Sequence, residues 1–386
     1  MKGERALHLV IDARAVQPSR TGVGNAVFRH LEGIERLFAA GRIQTWRVTV
    51  LRHAPALADA EFRSRWTNFR HLHFVETPAD PASHPGGDYW QQVTLPRLLR
   101  RMGADVIYSP AYVGPLVTQR TARMVMIHDD MVWSQPSSYP WKFRAYLSTM
   151  TRLTASTAHR ILYPTEDARR AVGKRLHIAP ERSVAIHHGV DLDIFREASE
   201  DGREPLALCI ASSERRKNHE VLVRALAEDA SPRLLFVGFD ERDRTRLEEL
   251  RRIGGVARWE VRGRADERQI ADYLARAAVL ALPSRGEGFG IPVIEAMAVG
   301  TPLVLSDIPV FREVAGRAAR YLHPDDHSGW RTAINEAVEY TPEVSARVEI
   351  GLMRIRKFTL ESSAERLLKE ARRAWQAMRA ERRPRR

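Results

Sequence analysis

Short, uniformly apolar runs recur along the chain, separated by stretches whose apolar residues return every three or four positions. The runs lie at 7–11, 46–51, 72–75, 106–108, 124–127, 161–163 and 184–186, and after residue 200 at 206–210, 234–237, 259–261, 279–282, 303–305 and 321–322. Strands apolar on both faces are covered on both faces, the habit of parallel sheets flanked by helices; a half-exposed antiparallel sheet alternates instead. Strand and helix patterns alternate throughout, so the pattern predicts an α/β chain of two doubly wound units in tandem. Residues 189–202 follow neither period and carry Asp191, Asp193, Glu197, Glu200 and Asp201. They mark the junction. The expected division is 1–190, a linker 191–204, 205–358, and a last segment 359–386 whose helix, about 360–378, sets Leu360, Ala364, Leu367, Leu368, Ala371, Trp375 and Met378 on one stripe.

The size, 386 residues with 44% hydrophobic and 28% charged content, supports two packed cores and excludes collagen-like, low-complexity and disulfide-stapled classes. A formal charge of +13 points to an anionic partner. Arg372–Arg386 alone contributes +6 of it, which weakens a nucleic-acid reading and leaves a solvated terminus or an anionic membrane surface as candidates for the tail. The one cysteine, Cys209, lies in an apolar run and implies a reduced, cytoplasmic setting. The first apolar stretch, 6–11, is too short for a signal-peptide core or a spanning helix. A soluble protein, or one held at a membrane from one side, is expected.

The most informative segment is 283–302, PSRGEGFGIPVIEAMAVGTP. It leaves a predicted strand, passes Gly286, Gly288 and Gly290, and enters a helix with Pro292 in its first turn. Glycines there let backbone N–H groups approach a ligand closely, and the helix start adds partial positive charge, so a phosphate is the expected guest. Glu287 in the loop and Glu295 in the helix would repel a bare phosphate. They suit hydroxyl-rich groups on either side of one, as ribose and hexose flank the diphosphate of a sugar nucleotide. The compensating cations are Arg216 and Lys217, in a segment that also follows a strand and opens a helix. In the first unit, Gly22 and Gly24 form a second glycine turn after the first strand, and His128 ends the fifth. Asp191 with Asp193, and Asp129 with Asp130, lack the spaced partners of a metal site, and no cysteine–histidine spacing suggests zinc.

Together these residues resemble the retaining GT-B glycosyltransferases of family 4, particularly the bacterial mannosyltransferase-like members. The resemblance runs through 21–24, 127–129, 188–191, 216–218, 283–290 and 295–302. It implies two Rossmann-like domains facing across a cleft, the donor held mainly by the second, and a last helix crossing back to the first. It further implies that Glu287 contacts sugar hydroxyls, Glu295 the ribose, the amides of 288–290 the sugar and phosphates, and Arg216 and Lys217 the diphosphate. Gly24 would lie near the phosphates and His128 near the transferred sugar; Gly22, Phe289 and Ile291 complete the donor-binding set. Many members have Gly-Arg where this chain has Ala211 and Ser212.

The expected reaction is metal-independent, retaining transfer of a hexose from a nucleotide sugar, GDP-mannose ahead of UDP-sugars, without any cofactor. The acceptor is expected to be a lipid-linked saccharide in cell-surface polysaccharide synthesis (O-antigen or exopolysaccharide) at the inner face of the membrane. Phe143, Tyr146, Leu147, Met150 and Leu153, on one helical stripe with basic neighbours, supply the membrane-facing candidate. The rival readings are a nucleotide-sugar epimerase or hydrolase, a nicotinamide dehydrogenase, for which residues 21–27 match the glycine fingerprint only partially, and a basic nucleic-acid-binding protein.

Overall fold

The computed structural model describes residues 5–18, 21–58, 60–78, 80, 86–199, 202–227, 232–240, 243–254 and 259–382. Each of the predicted apolar runs forms a strand. The first unit, Met1–Gly189 with Leu360–Arg386, holds β1 (Leu7–Asp12), β2 (Trp46–His53), β3 (His73–Thr77), β4 (Val106–Ser109), β5 (Ala122–Met126), β6 (Arg160–Tyr163) and β7 (Ser183–Ala185). They pair in parallel in the order β3-β2-β1-β4-β5-β6-β7. The second unit, Val190–Thr359, holds β8 (Glu204–Ile210), β9 (Arg233–Val237), β10 (Trp259–Arg262), β11 (Ala277–Leu282), β12 (Leu303–Ser306) and β13 (Ala319–Leu322). Its parallel order is β10-β9-β8-β11-β12-β13.

The central strands β1, β4, β6 and β11 are buried along their whole length, which is why their sequences lack alternation. Each sheet reverses its direction of growth once, between β1 and β4 in the first unit and between β8 and β11 in the second. Loops leaving the carboxyl ends of two such strands diverge to opposite faces, and the crevice between them is where open α/β sheets bind ligands.

The helix Gly22–Ala39 takes in the two glycines expected to form a turn, because Thr21 caps it: the Thr21 hydroxyl accepts the Gly24 N–H at 3.0 Å. The helix Leu360–Glu381 packs in the first unit, extends past the predicted end, and leaves Trp375 half-buried. Gly33 permits that packing, since a Cβ there would collide with the Leu360 carbonyl. Glu370 of the same helix pairs with buried Arg160. The acidic run expected to be a free linker is different: Val190 and Phe195 are buried in the second unit's core, and the Val190 N–H donates to the Phe358 carbonyl at 2.8 Å. Two apolar side chains are enough to fold that stretch onto the unit. Its positions 200 and 201, and positions 383–386 of the basic tail, lie outside the described residues.

Candidate functional site

In the second unit, the loops after β8 and β11 meet at the switch between those strands. The Arg285 N–H donates to the Arg216 carbonyl at 2.8 Å, joining the two loops through the backbone. Lys217 Nζ then lies 2.7 Å from Glu287 Oε1, Arg216 Nη1 3.3 Å from Glu287 Oε2, and the Ser284 hydroxyl donates to Glu287 Oε1 at 2.7 Å. The three side chains that the sequence reading grouped are therefore one cluster. Burial alone would raise the Glu287 pKa, but Lys217 and Arg216 outweigh it and hold the carboxyl down at about 2. Arg216 is also gripped from the other side: its Nε donates to Glu214 at 2.7 Å and its Nη1 to the Gly286 carbonyl at 2.9 Å. Burial raises the Glu214 pKa, but Arg216, Ser212 and Lys217 together outweigh it, so this carboxylate too sits below its ordinary value.

Arg216 and Lys217 do not open a helix as expected. They form a single 3-10 turn, Arg215–Lys217; Asn218 then takes the left-handed conformation, φ 55°, and the helix His219–Ala225 begins after it. Across the site, Gly290 at φ 89° caps the helix Ile291–Val299, with Pro292 in its first turn. A Cβ on Gly290 would lie 2.8 Å from the ring of buried Phe311, so both conformation and space demand glycine. No side chain caps this helix, and in its first turn the Val293 N–H donates to the Gly290 carbonyl at 2.9 Å. Phe289 is buried on Phe358, Ile291 is half-buried, and Glu295 is buried within the helix. Gly238, directly after β9, lies against the Ala211 carbonyl at φ 114°.

In the first unit, His128 follows β5 and is buried, with Nε2 2.7 Å from the Pro110 carbonyl. A carbonyl only accepts, so Nε2 carries the proton. Burial lowers the His128 pKa and keeps the ring neutral, which leaves Nδ1 as a hydrogen-bond acceptor. His128 stacks on His188 at 5.9 Å between ring centroids, and His188 contacts His30 at 5.5 Å. Burial drives all three down, His30 to about 3 and His188 well below its ordinary value. This stack was not foreseen, because its members come from 60 to 158 residues apart. Gly22 and Gly24 form the first turn of their helix rather than a loop before it.

The carboxylates weighed as metal ligands are engaged locally: Asp191 accepts the Asp193 N–H at 2.9 Å and Asp129 accepts the Met131 N–H at 3.0 Å. Among the described residues no group of three or more His, Cys, Asp or Glu could hold a metal ion. Cys209 is buried, and burial pushes its thiol up to about 12. Ser284 and Glu214, which hold the two key side chains, were missed as site residues; their signal was proximity in sequence, three positions before Glu287 and two before Arg216.

Residues 29–194 match the model described as Glycosyltransferase Family 4, and residues 204–339 match the one described as Glycosyl transferases group 1. The chain belongs to glycosyltransferase family 4. It is 26% identical over 266 residues to the O-antigen chain mannosyltransferase RfbU of Salmonella typhimurium, an alignment covering 67% of this chain and 71% of that one. It is 27% identical over 178 residues to the GDP-mannose:cellobiosyl-diphosphopolyprenol alpha-mannosyltransferase of Xanthomonas campestris, covering 44% of this chain and 46% of that enzyme. Its fold matches the crystal structure of Anabaena Alr3699/HepE in complex with UDP and glucose, with a TM-score of 0.71 at 16% identity over 95% of this chain and 99% of that one. The glycosyltransferase thus has the GT-B architecture, and the cluster at β8 and β11 falls in the half matched by the group 1 model. No helix among its described residues is long and apolar enough to cross a membrane.

Proposed function

We propose that this glycosyltransferase moves mannose from GDP-mannose to a lipid-linked saccharide, with the anomeric configuration kept, in the synthesis of a cell-surface polysaccharide. The observation that carries the transfer chemistry is the junction of Lys217, Arg216 and Glu287 at the switch between β8 and β11, beside the open helix start at Gly290. Departure of a nucleoside diphosphate leaves oxocarbenium character on the sugar and adds a third negative charge to the diphosphate. Preorganised cations and amides at that position stabilise the charge as it develops, without a metal ion. Glu287, ionised throughout the neutral range, accepts sugar hydroxyls. With no separate carboxylate assigned as nucleophile, the acceptor hydroxyl attacks from the face the diphosphate leaves and passes its proton to a donor phosphate oxygen. Mannose and the guanine base rest on the names of the relatives, and the resemblance to family members favours them over UDP-sugars.

The lipid-linked acceptor is supported by the helix Trp141–Thr157 of the first unit. Of its apolar stripe, Phe143 is 43% and Leu153 44% exposed, while Tyr146, Leu147 and Met150 are half-buried; Trp141 at the helix start is 69% exposed, and Lys142, Arg144 and Arg152 lie among them. Such a mixture of aromatic and basic side chains suits the face of an anionic bilayer on the cytoplasmic side.

The deciding experiment gives the enzyme GDP-mannose or UDP-glucose, with and without a polyprenyl-diphosphate saccharide, and follows donor loss and product by mass spectrometry. Mannosylated acceptor, formed equally well with EDTA present, supports the reading. Donor consumed at the same rate without acceptor identifies a hydrolase or epimerase instead.

A further inference from the structure

The first unit carries a cavity that sugar transfer does not use. Its volume is about 580 Å³, and it opens at the amino-terminal ends of the strands, the edge opposite His128 and the glycine turn. Arg5 precedes β1, Arg100 lies in the last turn of the helix Leu95–Met102 that leads into β4, Arg120 leads into β5, and Arg379 and Arg382 come from the end of the helix Leu360–Glu381. Against these five guanidiniums stands one lining carboxylate, Asp105, and it is committed: it accepts from Arg5 at 2.7 Å and from the His8 N–H at 2.8 Å. Glu381, beside Arg382, lies 3.6 Å from His159 Nε2. The floor is apolar and buried, made by Leu99, Ala104 and Met378.

Four excess positive charges around one concavity repel each other, and that cost is removed only by an anion seated among them. The lining cations are arginines, whose planar fork pairs oxyanions bidentately. Arg379 is held over the Trp375 ring at 4.8 Å, which orders its guanidinium before any ligand arrives. The volume lies within the roughly 300–1,000 Å³ of small-molecule sites and exceeds what a single phosphate fills. We propose that this cavity binds a group bearing two or more phosphoryl charges and that the bound anion fastens the end of the C-terminal helix to the strand entries of the first unit.

The test is calorimetric titration of inorganic pyrophosphate into the full chain carrying Lys217→Ala, which weakens pyrophosphate binding at the donor site. Arg120→Ala with Arg379→Ala should lower the affinity about 100-fold, as expected for two charge-assisted contacts. Arg63→Ala with Arg70→Ala, which removes the same charge elsewhere on the unit, should leave it unchanged. Because the phosphoryl groups could belong to a lipid, phosphatidylcholine vesicles with and without phosphatidic acid form a second arm. Binding in either arm that is lost only with Arg120 and Arg379 supports the site and identifies the source. Equal losses for the two arginine pairs, or no binding in either arm, overturn it.

Discussion

Replacing Glu287 by Gln keeps the shape of the donor loop and removes only its charge. In the parent that charge is shared by Lys217 at 2.7 Å and Arg216 at 3.3 Å, and the carboxyl is held at about 2 against an ordinary 4.5. The difference corresponds to about 3 kcal/mol of folding stability. The sign follows from the direction of the shift: a lowered carboxyl pKa contributes fully above pH 4.5 and is lost as pH falls toward 2. Glu287→Gln should therefore lower the stability of the second unit by about 3 kcal/mol at pH 7, or roughly 6–12 °C for a unit of this size. The gap to the parent should shrink as pH drops below 4.5, to about half its neutral size at pH 3, and close toward pH 2. A nucleoside diphosphate would give back the missing negative charge, so GDP should raise the melting point of the variant more than that of the parent, while transfer falls about 100-fold for want of a charged acceptor at the sugar. Scanning fluorimetry with and without GDP, at a series of pH values, measures all of this. A variant that melts within 2 °C of the parent at pH 7, or a gap as wide at pH 3 as at pH 5, would refute the ion-pair account.

Three further outcomes can be checked independently. Lys217→Ala should cut turnover by roughly 10²–10³-fold and lose part of the stability that Glu287 draws from its pair, whereas Arg216→Ala should lose more stability, since its guanidinium also braces Glu214 and the Gly286 carbonyl; turnover and denaturant melts on the same preparations separate them. Gly290→Ala, forced into φ 89° with Phe311 only 2.8 Å from its new Cβ, should cost about 2–3 kcal/mol in urea melts and raise the donor KM. His219 is fully buried between Phe236 and Phe239, and burial lowers it to about 3, so the second unit should lose up to about 1.4 kcal/mol per pH unit as pH falls from 6.5; His219→Phe should flatten that slope in urea melts at pH 7.5, 6 and 5.

What was legible in the sequence follows from the range of the interaction that decides it. The strands could be read because parallel sheets buried on both faces write themselves as continuous apolar runs, and the loop 283–290 could be read because glycines cluster only where backbone must come close to something. Gly22 and Gly24 were read as a turn because the Thr21 cap, three residues before the N–H it accepts, was not weighed against the glycines' low helix propensity. The acidic stretch after Gly189 was read from its charges, although the burial of Val190 and Phe195 decides its structure. The pairing of Lys217 with Glu287, 70 residues apart, and the stack of His30, His128 and His188 depend on strand order, which no local pattern encodes.

The same strand order explains why the donor cluster can be both paired and poised. Arg216 and Lys217 are balanced in the ligand-free molecule by Glu214 and Glu287, so the cations cost little to keep half-buried before substrate arrives. Their restraints are unequal. The Arg216 guanidinium is spread over two carboxylates and a carbonyl, and moving it toward a diphosphate would break several hydrogen bonds at once. Lys217 is an ammonium with three donors on a flexible stem, so it can turn one proton to a phosphate oxygen while another stays on Glu287. In the proposed reaction Arg216 would be the brace that fixes the loop after β11, and Lys217 the cation that follows charge onto the leaving group. Because both converge on Glu287, a sugar whose hydroxyl bonds to that carboxylate weakens its hold on Lys217 and frees the ammonium for the diphosphate, linking recognition of the sugar to stabilisation of its departure.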